Sequence, residues 1–299
     1  MAFNSSQLSN ELVINECPYL PILPDSVGNY FMITLTIFTT LIAIPGNLIT
    51  ILTILHSRKL RKKITYVFVI SVSFADFLVG LLAQPLFVAN MVTNVTVVKI
   101  CKIGVLAAYI CGAASIAGII GVTLERFIYI VFPFRYNNLL SLRKALLIIA
   151  LLWSIGVVLA AVHIVCYDVK LVQAAIFILI VTSSFVSLSA NLKFLHMSIK
   201  AQSSTSTGNF DQIQITKLIM KVSLAFGVCW LPYGIVGIMY AFYTPGSSKN
   251  IIIAYYWCAA IGFCNSTLNI LIYAKGNTVL SSEIRQFLRF REYRNTQPM

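Results

Sequence analysis

Ser115-Ile116-Ala117-Gly118-Ile119-Ile120-Gly121-Val122-Thr123-Leu124-Glu125-Arg126-Phe127 decides how this chain folds. An apolar run long enough to cross a bilayer ends on an adjacent acid and base. Such a pair is costly at the rim of a membrane helix, so it marks a function there.

The run is one of seven. The others, with it in third place, are Tyr30–Leu55, Tyr66–Val92, Ile103–Val131, Ala145–Val165, Leu171–Met197, Ile213–Tyr240 and Ile251–Tyr273. A spanning helix needs about 20 apolar residues, and each run supplies them. The chain is 59% hydrophobic and 10% charged, far too apolar for a soluble domain. Hydrocarbon offers the backbone no hydrogen bonds, and the runs are too long for barrel strands. The expected fold is an all-α membrane protein, a seven-transmembrane-helix bundle. The links are short, so residues 30–273 form one domain between a tail, 1–29, and a last segment, 274–299.

Lys and Arg set the orientation. The first tail has neither, and 18 of the 22 basic residues fall on the opposite face. The N-terminus is therefore expected outside and the C-terminus in the cytoplasm of a multi-pass plasma-membrane protein. The net charge of +13 then reports topology, and nucleic acid is not an expected partner. Met1 to Asn10 lacks the basic start and apolar stretch of a signal peptide, so the first span is expected to direct insertion. Asn4 and Asn94 head outer-side glycosylation sequons, with Asn94 close to the membrane.

Polar residues stand out against this background. Asp76 lies in mid-span two, and an intramembrane carboxylate is a functional candidate; the alternative is a lone acid bonded to its neighbours. Asn47, Ser115, Asn265, Ser266 and Asn269 can reach the same polar centre. Oxygen-rich sets suit a small hard cation, whereas single Asn residues serve as glue between helices. Cys101 and Cys166 flank the outer side, where oxidation permits a disulfide. Cys17 with Cys258 is a second candidate bridge. Pro232, in Cys229-Trp230-Leu231-Pro232-Tyr233, removes a helix hydrogen bond and makes span six a candidate moving part or a static kink. Ser281 to Phe290 reads as an amphipathic helix lying along the inner membrane surface.

In this order the marks resemble those of a rhodopsin-like (class A) G-protein-coupled receptor, over roughly Asn29 to Arg291. They are Gly46-Asn47, Asp76, Cys101 with Glu125-Arg126, Trp153, Cys229-Trp230-Leu231-Pro232 and Asn269-x-x-x-Tyr273. Cys101 precedes Arg126 by 25 positions, as in that family. The resemblance implies a receptor with no catalytic centre and no cofactor. Its partners would be an outside ligand, membrane lipids and a heterotrimeric G protein. Phe226 and Trp230, with Ile116, would relay ligand binding. Helix six would swing at Pro232, and Arg126 and Tyr273 would help form the G-protein cleft. Asp76, Ser115, Asn265, Ser266 and Asn269 match the family's allosteric sodium pocket. The sequence departs from the pattern at Phe127, at Ile270 in place of a helix-seven proline, and in a fifth span without proline or the inner Tyr. Ile270 is expected to leave helix seven straighter and to turn Asn269 away from the centre.

The ligand pocket is expected at Gln84, Phe87, Ala108, Tyr109, Gly112, Tyr233 and Phe263. Ala108 stands where amine receptors carry an Asp, and Phe263 where opsins carry the retinal Lys. An uncharged or lipid-like ligand fits this apolar, aromatic set best. Two other classes stay open. A membrane enzyme or transporter needs paired acids or His within the spans, and Asp76 is alone there. A receptor-like protein that does not couple, and scavenges ligand or partners another receptor, is compatible with the departures.

Overall fold

The computed structural model describes residues 27–93, 98–166, 169–204, 210–242, 249–276 and 278–295. Among them seven helices are long and apolar enough to cross a membrane. They are α1 (Val27–His56), α2, α3 (Val98–Val131), α4 (Leu142–Val165), α5 (Lys170–Ser204), α6 (Phe210–Ala241) and α7 (Lys249–Gly276). Several outrun their apolar stretches, because a backbone leaving hydrocarbon has no reason to give up bonds it already makes. The bundle is the expected all-α, seven-helix one, and no strand occurs among the described residues.

Helix α2 has a feature that periodicity did not foretell. It runs Ile64–Leu78, widens into a π turn at Val79–Ala83 and resumes at Gln84–Thr93. Pro85 is the physical cause: its ring would strike the carbonyl four residues back, and it has no amide to donate. In the wider turn the Gln84 amide reaches the Val79 carbonyl, five residues back. Helix α7, in contrast, continues unbroken through Ile270. The Ile270 side chain fills the space over Gly46, where an added Cβ would sit 2.5 Å from its Cδ1.

Helices α5 and α6 approach as closely. A Cβ on Gly237 would lie 2.3 Å from Phe177 Cδ1, inside a buried ring cluster. Gly237→Ala therefore forces that cluster apart and is expected to destabilise the bundle by about 1–3 kcal/mol. Thermal unfolding of the purified receptor reads this as a lowered melting temperature.

At the end bearing Arg126, a turn at Arg58–Arg61 joins α1 to α2, capped by Ser57 Oγ accepting from the Leu60 amide at 3.3 Å. A 3-10 turn, Pro133–Arg135, and a short helix, Tyr136–Leu139, join α3 to α4. The last helix, α8 (Thr278–Asn295), is amphipathic as expected. Its Leu280 is buried in a cluster with Ile54 and Tyr273, Ile284 packs against that cluster, and Phe287 meets His56 edge-on at 5.6 Å.

Candidate functional site

Three linked sites follow one another down the bundle. At the end bearing Arg126, the third-span acid and base are both buried, with Glu125 1% and Arg126 3% exposed. Arg126 Nε donates to Glu125 Oε2 at 2.5 Å, and its Nη2 contacts Glu125 Oε1. Neither group is left to that partner alone. Arg126 Nη2 donates to Thr65 Oγ1 at 2.6 Å, and Thr65 Oγ1 donates to Glu125 Oε1 at 3.1 Å. Tyr136 OH, from the short helix after α3, donates to Glu125 Oε1 at 2.7 Å. Burial and the nearby carboxylate push the Tyr136 phenol well above its ordinary range, so it is a neutral donor. The guanidinium also sits over the Tyr129 ring, 5.1 Å from its centroid. Arg126 is thus held by α2 and α3, and its partner Glu125 is held in addition by the link beyond α3. Thr65 and Tyr136 were not singled out in the sequence. Thr is ordinary in a helix, and Tyr136 lies in a link where no period points to a partner.

One turn deeper a second network binds α3, α5 and α6. Asn191 Nδ2 donates to Thr123 Oγ1 and Ser223 Oγ, both at 2.8 Å. Asn191 is polar within an apolar span, the same signal that exposed Asp76.

At mid-bundle, α2 and α7 meet through Asp76. Asp76 is buried and accepts from Ser266 Oγ at 2.9 Å and from Asn269 Nδ2 at 2.7 Å. Ile270 does not turn Asn269 away, which corrects that expectation: the unbroken helical phase of α7 aims Asn269 at α2. Asn47 joins α1 to α7 by donating to the Ser266 carbonyl at 3.2 Å. Ser115 Oγ, Asn265 Oδ1 and Asn269 Oδ1 are buried and make no hydrogen bond, as do Asn47 Oδ1 and Ser73 Oγ. One carboxylate with neutral oxygens is the donor chemistry a hard monovalent cation takes.

Phe226 and Trp230 stack with centroids 6.1 Å apart, and Ile116 packs against the same cluster as Tyr273. Pro232 lies within a continuous α6. Beside Trp230 is a cavity of about 320 Å³, within the usual range of small-molecule sites. Ala108, Tyr109, Gly112, Tyr233 and Phe263 line it, as expected. Phe87 lines a smaller chamber that shares the Tyr109, Tyr233 and Phe263 walls. Tyr233 and Tyr255 hydroxyls meet at 2.8 Å, and Tyr109 stacks on His163 at 3.9 Å.

One expectation of the pocket is corrected. Gln84 lines neither cavity. It turns to α1 and α7, with its carbonyl accepting from Thr40 at 2.9 Å and its amide donating to Thr39 at 3.3 Å and to the Phe263 carbonyl at 3.4 Å. A buried amide finds partners on neighbouring helices before it faces an apolar hole. Cys166 is a free thiol among the described residues, and the side chain of Cys101, its expected partner, lies outside them. The end of α4 fixes Cys166: its amide donates to the Val162 carbonyl at 2.9 Å, and its carbonyl accepts from Gln173 Nε2 at 2.9 Å. Cys258 is likewise a free thiol. Asn4, Asn94 and Cys17 lie outside the described residues, as does the side chain of Cys101.

The sequence has known relatives. The family described as "7 transmembrane receptor (rhodopsin family)" matches residues 46–175 and 167–273. The chain belongs to that family, whose members are receptors rather than enzymes, and it is a multi-pass plasma-membrane protein. It is 26% identical over 266 residues to "Melatonin receptor type 1B-B" of Danio rerio, covering 79% of this chain and 75% of that one. It is 25% identical over 314 residues to "QRFP-like peptide receptor" of Branchiostoma floridae, covering 92% and 82%. A shorter match, 32% over 141 residues, joins it to "D(1B) dopamine receptor" of Mus musculus, covering 47% and 29%.

Proposed function

We infer that this receptor converts binding of an uncharged, largely apolar small molecule into nucleotide exchange on a heterotrimeric G protein. The observation that carries this reading is continuity. The apolar cavity shares Trp230 with the Phe226 stack, and that stack shares a packed cluster with Tyr273 at the Arg126 end. A ligand that prefers one arrangement of Trp230 biases all of it. No carboxylate, His, Lys or Arg among the described residues lines the main cavity, which disfavours a cationic amine.

The Arg126 end is assigned to the cytoplasm, because the basic residues crowd there. That end offers an anchor for a partner: Phe134, next to the Glu125–Arg126–Tyr136 network in sequence, is 100% exposed. Aromatic anchors carry much of an interface's energy, so Phe134→Ala is expected to cost about 2 kcal/mol, or about 30-fold in apparent G-protein affinity. Exchange measured against G-protein concentration reads that shift. An unshifted curve removes Phe134 from the interface.

At the centre, Asp76 with Ser266, Asn269, Asn265 and Ser115 is proposed to hold a sodium ion that favours the resting bundle. The unsatisfied oxygens support this, since buried acceptors without donors are costly unless something cationic answers them. The reading as a whole is tested by screening uncharged ligands for exchange on purified heterotrimers. Binding with no exchange on any heterotrimer would favour a receptor-like scavenger instead.

A further inference from the structure

We propose that the ligand enters the main cavity sideways from the bilayer, through a mouth between α4 and α5. Ile155 and Leu179 both line the cavity, yet they are 46% and 52% exposed. A residue that belongs to both the wall and the outer surface marks where the two meet. Both lie on outward faces of their helices. Ile155 follows Leu151 by four residues and precedes Val158 by three, and these are 62% and 59% exposed. Leu179 precedes Val186 by seven residues, and Val186 is 67% exposed. At this depth the surrounding medium is hydrocarbon, so the mouth opens on lipid.

The packing explains why a mouth exists. On the α3 side, Gly112, Ala113 and Ala117 present almost no side chain to the space. Helices α4 and α5 are tied at the far end from Arg126, where Gln173 donates to the His163 and Cys166 carbonyls at 3.3 and 2.9 Å. At the level of Ile155 and Leu179 the wall is aliphatic, with no hydrogen bond between the two helices among those of the described residues.

The same geometry narrows the ligand. A molecule that dissolves in hydrocarbon carries no charge. Inside the cavity, Trp230 Nε1 makes no hydrogen bond. A ligand with a hydrogen-bond acceptor on an apolar frame would satisfy it. This rests on the small-molecule reading of the cavity above.

The chain has three Trp residues, and Trp230 alone of them lines the cavity. Trp153→Phe with Trp257→Phe leaves Trp230 as the only reporter. The probe is bromobenzene, a small uncharged contact quencher that partitions into phosphatidylcholine vesicles holding the full-length receptor. Iodide is the aqueous counterpart. The expected result is quenching by bromobenzene, lost when Ile155→Phe and Leu179→Phe fill the mouth. Quenching should persist when Leu147→Phe and Val158→Phe load the same lipid face of α4 elsewhere. Thermal unfolding of each variant checks that it is folded. Quenching that survives the filled mouth, quenching by iodide in preference, or no quenching by either overturns the proposal. No G protein takes part, so lateral entry fails here independently of coupling, and coupling fails in exchange assays independently of entry.

Discussion

Arg126→Ala is expected to bring nucleotide exchange down to the rate of the G protein alone, while the receptor remains folded and in the membrane. The buried guanidinium is addressed from α2 and α3: Glu125 and Thr65 bond it, and Tyr129 lies beneath it. A side chain held by so many partners is released only when they separate, and release exposes five donors at that end of the bundle. The substitution need not unfold the site. Glu125 keeps the Thr65 and Tyr136 hydroxyls as donors, so its carboxylate is not stranded. Surface labelling and exchange measured on the same preparation separate the two effects. Full exchange by the variant would remove Arg126 from the mechanism.

Asp76→Asn is expected to abolish the response of the resting bundle to sodium. A ligand that binds the folded receptor stabilises it by the logarithm of its saturation, about 1.4 kcal/mol at ten times its dissociation constant. The unmodified receptor should therefore melt at a higher temperature in sodium chloride than in N-methylglucamine chloride of equal ionic strength. The Asn variant keeps the shape and one acceptor oxygen but lacks the charge, so its two melting curves should coincide. Equal curves for the unmodified receptor would leave Asp76 as a hydrogen-bonding residue between α2 and α7.

Much of this was legible because a membrane makes polar residues conspicuous. Asp76, Ser266 and Asn269 stood out singly, and the structure joins them by hydrogen bonds. Glu125 and Arg126 stood out as a pair and are found paired. Asn191 carried the same signal and was passed over. What stayed hidden involves residues whose role depends on where a neighbouring helix lies. Gln84 was assigned to the pocket, since a polar residue on an inward face looks alike whether it meets a cavity or Thr39 and Thr40. The π turn needed the knowledge that Pro85 would be relieved by widening rather than by a break. Tyr136 reaches Glu125 because the chain reverses after Phe132, and nothing in its own position announces that. Ile270 was expected to displace Asn269, and Gly46 gives it the room not to.

The central claim is that the Glu125–Arg126 network restrains a receptor able to drive nucleotide exchange. Glu125→Gln removes the charge that makes the Arg126 bonds strong and leaves the shape in place. The most direct measurement is exchange by this variant, reconstituted in lipid without added ligand, across a panel of purified heterotrimeric G proteins. The account predicts faster exchange than the unmodified receptor gives on at least one heterotrimer, and none when Arg126→Ala is added. Exchange at the unassisted rate on every heterotrimer, from a variant shown to be folded, would contradict it.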